Sequence, residues 1–277
     1  EDTNSDGKLS PSDQIDLHMD WPKFHHDNPL SGYSISTAPN TNTTLWTYDT
    51  GTPTPGILSS PAIVDNTLYI GSTNNQLYAL DATTGALIWT YVTGGPIYSS
   101  PAVFYGKVYF LSTDGFIYAL DAVTGAIVWS VLIDPPRPDH WWPWSSPAVH
   151  SGRVFIGSSN GLIYCLNAFN GAVIWSTVVG GNPNSPISVA NNKVFTGTHN
   201  LFNGSSHTLV ALNELTGAII WTYNYTQSVP SAVGMVNCNG PAVVDGDGDG
   251  NLEVYFGIIT WPLAPGPLPV GEAIALQ

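Results

Sequence analysis

Basic residues are scarce in this sequence. Of its 277 residues, 6 are lysine or arginine and 20 are aspartate or glutamate, so the formal net charge is −14. Nucleic acids and anionic membrane surfaces are bound mainly through lysine and arginine, and neither is therefore an expected partner. The sequence also lacks a run of about 18 apolar residues, which a helix needs in order to cross a bilayer. We expect no membrane insertion of this chain.

Cysteine and helical periodicity are also lacking. The two cysteines, Cys165 and Cys238, are too few for a disulfide framework and too far apart in sequence to be paired by inspection. No apolar pattern of useful length follows the helical period. Hydrophobic residues nevertheless make up 43 % of the chain and aromatic residues 12 %. That composition supports a large core and argues against intrinsic disorder.

A repeat accounts for most of the chain. Its first copy contains Ser-Pro-Ala-Ile-Val at 60–64, Leu-Tyr-Ala-Leu-Asp at 77–81 and Thr-Gly-Ala-Leu-Ile-Trp at 84–89. Related copies begin at residues 100, 146, 185 and 240. Each copy holds four short apolar runs of strand length, separated by turn signals. Four antiparallel strands in roughly 40 residues, repeated, predict an all-β fold built from the blades of a β-propeller. We place the Ser-Pro-Ala strand nearest the central axis and the tryptophan strand outermost.

The Ser-Pro-Ala, Tyr-Ala-Leu-Asp and Thr-Gly-Ala-x-x-Trp motifs resemble the repeats of pyrroloquinoline-quinone-type (PQQ-like) β-propellers. That family includes the bacterial outer-membrane assembly propeller and the quinoprotein dehydrogenases. The resemblance covers residues 44–277, and the segment 21–27 resembles the lead-in of the family. We therefore divide the chain into an EF-hand- or dockerin-like lead-in, 1–20, and a propeller, 21–277. The dehydrogenases of the family hold PQQ against adjacent cysteines, which this sequence lacks, so no PQQ is expected.

Two arrangements of the blades are open. Five copies are visible, four of them carry their own tryptophan strand, and residues 45–48 read as a further tryptophan strand ahead of the first copy. This segment either completes the fifth copy and closes a five-blade ring, or the chain is part of a seven- or eight-blade ring. Closure would remove exposed sheet edges, whereas the resemblance implies the larger blade number.

The N-terminal acidic segment follows the pattern of an EF-hand calcium loop. Such a loop needs oxygen donors at alternating positions, a glycine at its sixth position and an acid at its twelfth. Only Glu1 precedes the segment, so the entering helix of an EF-hand is missing, and the alternative is a solvated acidic tail. The expected ligands are Asp2, Asn4, Asp6, Asp13 and the carbonyl of Lys8.

A second acidic loop lies between the first and second strands of the fifth copy, where the other copies have two residues. Its Asp-x-Asp-x-Asp-Gly pattern resembles the calcium loops of integrin-type propeller repeats. Several carboxylates in so short a loop repel one another unless a cation binds, and the alternative is a solvated acidic turn. The expected ligands are the side chains of Asp245, Asp247, Asp249 and Glu253 and the carbonyl of Asn251. We expect two structural Ca²⁺ sites in all.

Long loops concentrate on one predicted face, formed by the loops between second and third strands and by the connections between blades. These loops are predicted at residues 134–144, 198–207, 223–239 and 259–272. Function tends to lie in variable loops on a rigid scaffold. Aromatic side chains with few charges suit a glycan or a protein partner, and the alternative is that these rings plug the mouth of the propeller. The candidate contact residues are His140, Trp141, Trp142, Trp144, Phe202 and Trp261.

Three sequons and the composition favour an exported glycoprotein, at the cell surface or outside the cell. The sequons are at Asn42, Asn203 and Asn224. The chain starts without a methionine, which indicates processing or a piece of a longer protein. No spacing typical of a catalytic site occurs. The sequence thus predicts a non-catalytic, calcium-stabilised interaction or structural module of a larger protein or assembly. The alternative is a propeller enzyme, either carbohydrate-active (a polysaccharide lyase) or PQQ-dependent.

Overall fold

The computed structural model describes residues 23, 41–51, 56–135, 145–198, 208–224, 233–238, 240–246, 248–262 and 270–276. The side chains of residues 233–238, 258–262 and 270–274 are excepted. The described residues form twenty β-strands and no α-helix. In this part of the chain there is accordingly no helix of the length and apolarity that a bilayer requires. The expectation of an all-β fold is confirmed.

Each of the first four repeat copies forms a four-stranded antiparallel sheet whose strands follow sequence order. The first sheet contains β1 (Ala62–Val64), β2 (Thr67–Gly71), β3 (Gln76–Asp81) and β4 (Leu87–Val92). The second contains β5 (Ala102–Phe104), β6 (Lys107–Leu111), β7 (Phe116–Asp121) and β8 (Ile127–Leu132). The third contains β9 (Ala148–His150), β10 (Arg153–Gly157), β11 (Leu162–Asn167) and β12 (Val173–Val178). The fourth contains β13 (Ser188–Ala190), β14 (Lys193–Gly197), β15 (Thr208–Asn213) and β16 (Ile219–Asn224).

The fifth sheet is built differently. Its strands are β17 (Val233–Cys238), β18 (Ala242–Val244), β19 (Glu253–Pro262) and β20 (Val270–Leu276). Strands β17 and β18 pair with one edge of β19, and β20 pairs with the other edge. The sequence predicted loops at 223–239 and 259–272. The structure instead has a strand, β17, in the first of them and continues β19 through Trp261 in the second.

The turns between third and fourth strands place a glycine in the left-handed region. Gly85, Gly125, Gly171 and Gly217 have φ between 70° and 74°. An acid or amide at the end of the third strand caps the same turn. The Asp121 carboxylate accepts hydrogen bonds from the Thr124 hydroxyl and amide, both at 2.8 Å, and these bonds hold the pKa of Asp121 below its usual range.

Neighbouring sheets are joined through the repeat tryptophans. The indole of Trp129 lies against Gly171 of the next sheet, and its Nε1 donates to the Ala168 carbonyl at 3.0 Å. The hydroxyl of Tyr109 donates to the same carbonyl, also at 3.0 Å. The same indole bond joins Trp46 to Ala82, Trp89 to Ala122 and Trp175 to Glu214, at 2.9–3.1 Å. The tryptophans therefore pack between neighbouring sheets and hold them together.

The Ser-Pro-Ala strands lie side by side and set the order of the sheets. Contacts join β1 to β5, β5 to β9, β9 to β13 and β13 to β18. The Ser60 amide donates to the Ser100 hydroxyl at 2.9 Å, and the Ser100 amide to the Ser146 hydroxyl at 3.0 Å. Sheets that succeed one another in this way are the blades of a propeller. Residues 41–51 form no strand, and Trp46 packs against the first sheet as the tryptophan of a preceding blade would.

Candidate functional site

The acidic loop at residues 245–252 joins β18 to β19 in the fifth sheet. In the other four sheets, a turn of two residues joins the corresponding strands. Val244 pairs with Glu253 at its base, where β18 meets β19. Gly248 and Gly250 have φ of 79° and 88°, which only glycine adopts readily. These two positions of the loop therefore favour glycine.

The backbone of this loop closes around the carboxylate of Asp245. Its two oxygens accept hydrogen bonds from the amides of Gly248 and Gly250, at 2.7 and 2.9 Å. Asp249 accepts from the amide and the side chain of Asn251, at 2.8 and 3.0 Å. The acidic side chains thus hold the loop in shape through its own amides, which concentrates negative charge within it.

Glu253 places a buried carboxylate at the base of the loop. The side chain is 3 % exposed. Its Oε2 accepts from the Gly246 amide at 2.8 Å and from the Tyr255 hydroxyl at 3.5 Å. Its Oε1 is buried and has no hydrogen-bond partner within the described part of the chain. A buried charged oxygen without a donor is costly, and a hard cation such as Ca²⁺ would satisfy it.

Several expected calcium ligands lie outside the described residues. They are Asp247 of this loop and all of Asp2, Asn4, Asp6, Lys8 and Asp13. Among the residues that are described, no three His, Cys, Asp or Glu side chains come close enough to hold a metal ion. Asp245, Asp249, Asn251 and Glu253 lie in or directly after this loop and offer only oxygen donors, the type that calcium prefers.

The aromatic loop face is mostly outside the described residues as well. His140, Trp141, Trp142, Trp144 and Phe202 lie there, and of Trp261 only the position within β19 is described. Asn42 and Asn224 are exposed, as a glycosylation site requires, and Asn203 lies outside. The sequence hypotheses about this face and about glycosylation stay predictions.

A side-chain hydrogen bond between the third and fourth sheets was not expected. The Nδ1 atom of His150, at the end of β9, lies 2.7 Å from Oε1 of Glu214. The Glu214 side chain is 2 % exposed and that of His150 is 41 % exposed. The only sequence signal is that Glu214 stands where the first three copies have alanine.

The described thiol is not suited to nucleophilic chemistry. Cys165 lies fully buried in β11 and is a free thiol. Burial raises its pKa to about 12, so the thiolate, which is the reactive form, is scarcely populated near neutral pH. Burial also raises the pKa of Tyr109. Both groups therefore serve packing rather than proton transfer.

The comparisons with known proteins agree with this architecture. No curated protein sequence matches the chain significantly. The quinohemoprotein alcohol dehydrogenase of Comamonas testosteroni superposes with a TM-score of 0.69 at 19 % identity, covering 91 % of this chain and 49 % of that one. A europium-containing methanol dehydrogenase gives 0.73 at 18 % identity, with coverage of 91 % and 60 %. BamB from Moraxella catarrhalis gives 0.50 at 18 % identity, with coverage of 79 % and 77 %.

These likenesses show the fold, because the identities are too low to carry an activity. The chain also spans only 49 % of the alcohol dehydrogenase and 60 % of the methanol dehydrogenase. The sequence comparison extends further. A family profile described as outer membrane protein assembly factor BamB, of the PQQ-like repeat type, matches residues 33–139 and 141–256, most of the chain. The chain therefore belongs to this family of PQQ-like propeller proteins.

Proposed function

We propose that this chain is a non-catalytic, exported and calcium-stabilised β-propeller, which serves as an interaction or structural module of a larger cell-surface or extracellular assembly. The observation that carries the calcium part is the Oε1 atom of Glu253, which is buried beside the acidic loop without a hydrogen-bond partner in the described residues. A cation bound by Asp245, Asp247, Asp249, the carbonyl of Asn251 and Glu253 would neutralise it. The loop between residues 2 and 13 would hold a second ion.

The absence of catalysis in this proposal rests on how the described polar groups are used. The buried serines of the first strands bond to backbone groups of neighbouring strands, as Ser100 does with Ser60. Cys165 is held as an unreactive thiol. The family profile is that of an assembly factor, and such a role requires a surface for a partner rather than a reacting group.

Calcium should stabilise the chain, and Glu253→Gln should remove the part of this stabilisation that comes from the loop at residues 245–252. For each site that binds it, we expect Ca²⁺ at 100 times the dissociation constant to raise the free energy of unfolding by about 2.7 kcal/mol over EDTA. In EDTA, Glu253→Gln removes an unpaired buried charge, so this variant should be at least as stable as the wild type. In Ca²⁺ it loses a ligand and should be less stable. Thermal unfolding in the two buffers, with native mass spectrometry to count ions, measures both effects.

Asp65→Asn is the matched control, because Asp65 lies in the two-residue turn of the first sheet and contributes to no acidic loop. It should leave the calcium response unchanged. The wild type should bind two Ca²⁺. The Glu253→Gln variant and the Asp2→Asn/Asp6→Asn double variant should each bind one. Identical unfolding midpoints in Ca²⁺ and EDTA, with no bound ion, would make both loops solvated acidic turns.

We further propose that the partner, a protein or a glycan, binds the loop face that carries His140, Trp141, Trp142, Trp144, Phe202 and Trp261. Changing Trp141 and Trp142 together to alanine should weaken partner or glycan binding at least tenfold, because aromatic anchors carry much of the energy of such contacts. Phe169→Ala is the control, since Phe169 is exposed at a turn of the opposite face. Binding to a glycan array and capture of extracellular proteins, with unfolding midpoints as a fold check, test it. Unchanged binding by the folded double variant would remove this face from the proposal.

The alternative is a propeller enzyme, and the dehydrogenase fold of two structural neighbours favours its PQQ-dependent form. The same native mass spectra decide between them. A bound quinone in the protein from its natural source would support the enzyme. Calcium alone would support the module.

A further inference from the structure

Glu253, the buried ligand of the proposed calcium site, stands at the start of the strand that holds the fifth sheet together. It is the first residue of β19. The strands β17, β18 and β20 all pair with β19, and Glu253 itself pairs with Val244, the last residue of β18. Whatever stabilises or destabilises Glu253 therefore acts at the centre of this sheet.

The two faces of β19 have different neighbours. Val254 and Phe256, each 4 % exposed, belong to the apolar cluster that packs against Phe195 of the fourth sheet. Side chains alternate along a strand, so Glu253 points to the other face, where its carboxylate meets the Tyr255 hydroxyl. A displacement of the backbone at Glu253 would therefore also move Val254 out of the contact between the two sheets.

The negative charge of the acidic loop is not balanced by bases of its own sheet. Residues 194–277 contain no lysine or arginine, while four acidic side chains fall within residues 245–253. Lys193 of the fourth sheet lines a cavity together with Asp249, but the Oε1 atom of Glu253 is buried without a hydrogen-bond partner among the described residues. Without a cation, the repulsion and the cost of the unpaired oxygen fall on the fifth sheet.

The first four sheets hold the corresponding turns in a way that no cation affects. In each of them, the turn between the first and second strands accepts a backbone hydrogen bond of 2.8–3.0 Å from the turn between the third and fourth strands. The accepting carbonyls are those of Asn66, Gly106, Gly152 and Asn192. The acidic loop is held by carboxylates, through the bonds of Asp245 and Asp249 to its own amides.

We propose that calcium controls the fifth sheet separately from the other four. With the ion bound, this sheet stays packed on the fourth, and without the ion it opens locally while the first four sheets stay folded. Proteins open in such supersecondary units at a lower free energy than global unfolding requires. The inference rests on the proposed calcium site and adds that the ion acts on one part of the molecule. Opening would expose the side chains of Phe195, Leu209, Ala211, Val243, Val254 and Phe256.

Hydrogen exchange of the full chain, followed by mass spectrometry in Ca²⁺ and in EDTA, tests this inference. With Ca²⁺ at 100 times its dissociation constant, the amides of β18 and β19 should exchange about 100-fold more slowly than in EDTA, because opening must release the ion. Amides of the second and third sheets, whose local openings do not release the ion, should change less than twofold. Native mass spectrometry of the same samples counts the bound ions.

Variants assign the effect to this loop. In EDTA, Glu253→Gln removes the unpaired buried charge, so β18 and β19 should exchange at least tenfold more slowly than in the wild type, and Ca²⁺ should add little. Asp65→Asn is the matched control, because Asp65 follows β1 as Asp245 follows β18, and it should respond to Ca²⁺ like the wild type. The Asp2→Asn/Asp6→Asn double variant should also respond like the wild type.

Two outcomes would overturn the inference, and they differ in what they leave of the calcium site. Equal slowing of exchange in all five sheets, with the ion bound, would show that the molecule responds as a single unit, and the calcium site would stand. An ion count that Glu253→Gln does not lower would overturn both proposals, since no ion would then bind at this loop.

Discussion

Gly171→Ala should lower the free energy of unfolding by about 2 to 5 kcal/mol. Two costs combine. The φ of Gly171 is 73°, a conformation that costs an L-residue about 1 to 2 kcal/mol. The new β-carbon would also lie 2.9 Å from the Trp129 ring, and overpacking of this kind costs about 1 to 3 kcal/mol. Equilibrium denaturation in guanidinium chloride measures the change.

Gly180→Ala separates the two costs. Gly180 has a φ of 79°, but no atom lies within 4 Å of an added β-carbon. Only the backbone cost of about 1 to 2 kcal/mol should therefore appear. A difference between the two variants measures the contact with the tryptophan. Equal losses would mean that the glycine is needed for its φ alone and that the indole contact adds nothing to stability.

This contact explains why the fold could be predicted so fully from the sequence. A Thr-Gly-Ala turn, a tryptophan four residues after its glycine and a Ser-Pro-Ala strand recur with little change, so each copy predicts the next. The chain itself shows which part of the turn matters. Asp81 and Asp121 cap the first two turns, and Asn167 and Asn213 cap the next two. A side-chain oxygen is required there, not a charge.

The candidate site was less predictable, because it depends on departures from the repeat. The acidic loop could be recognised from its pattern, but the burial of Glu253 follows from the packing of β19 and has no local signal. Strand β17 likewise has no counterpart in the other copies.

His150→Val should be strongly destabilising, while Glu214→Ala should be nearly neutral. His150 is a hydrogen-bond partner of the buried Glu214 carboxyl group, so its removal leaves that oxygen unpaired in the interior. Leaving a buried acceptor without its donor should cost about 1 to 3 kcal/mol. Glu214→Ala instead installs the residue of the first three copies. Chemical denaturation of the single and double variants gives both effects and their coupling.

The asymmetry follows from what each variant leaves behind. The backbone of Glu214 accepts from Trp175 and donates to the Asn192 carbonyl, and Ala168 makes the corresponding bonds in the third sheet. Alanine at 214 therefore keeps the contact between sheets.

Valine at 150 has a precedent in Val64, so the cost of His150→Val comes from the unpaired Glu214 side chain rather than from poor packing. The double variant should then be close to Glu214→Ala alone. If it is instead as unstable as His150→Val, the loss arises from the shape of the imidazole, and the hydrogen bond to Glu214 contributes nothing.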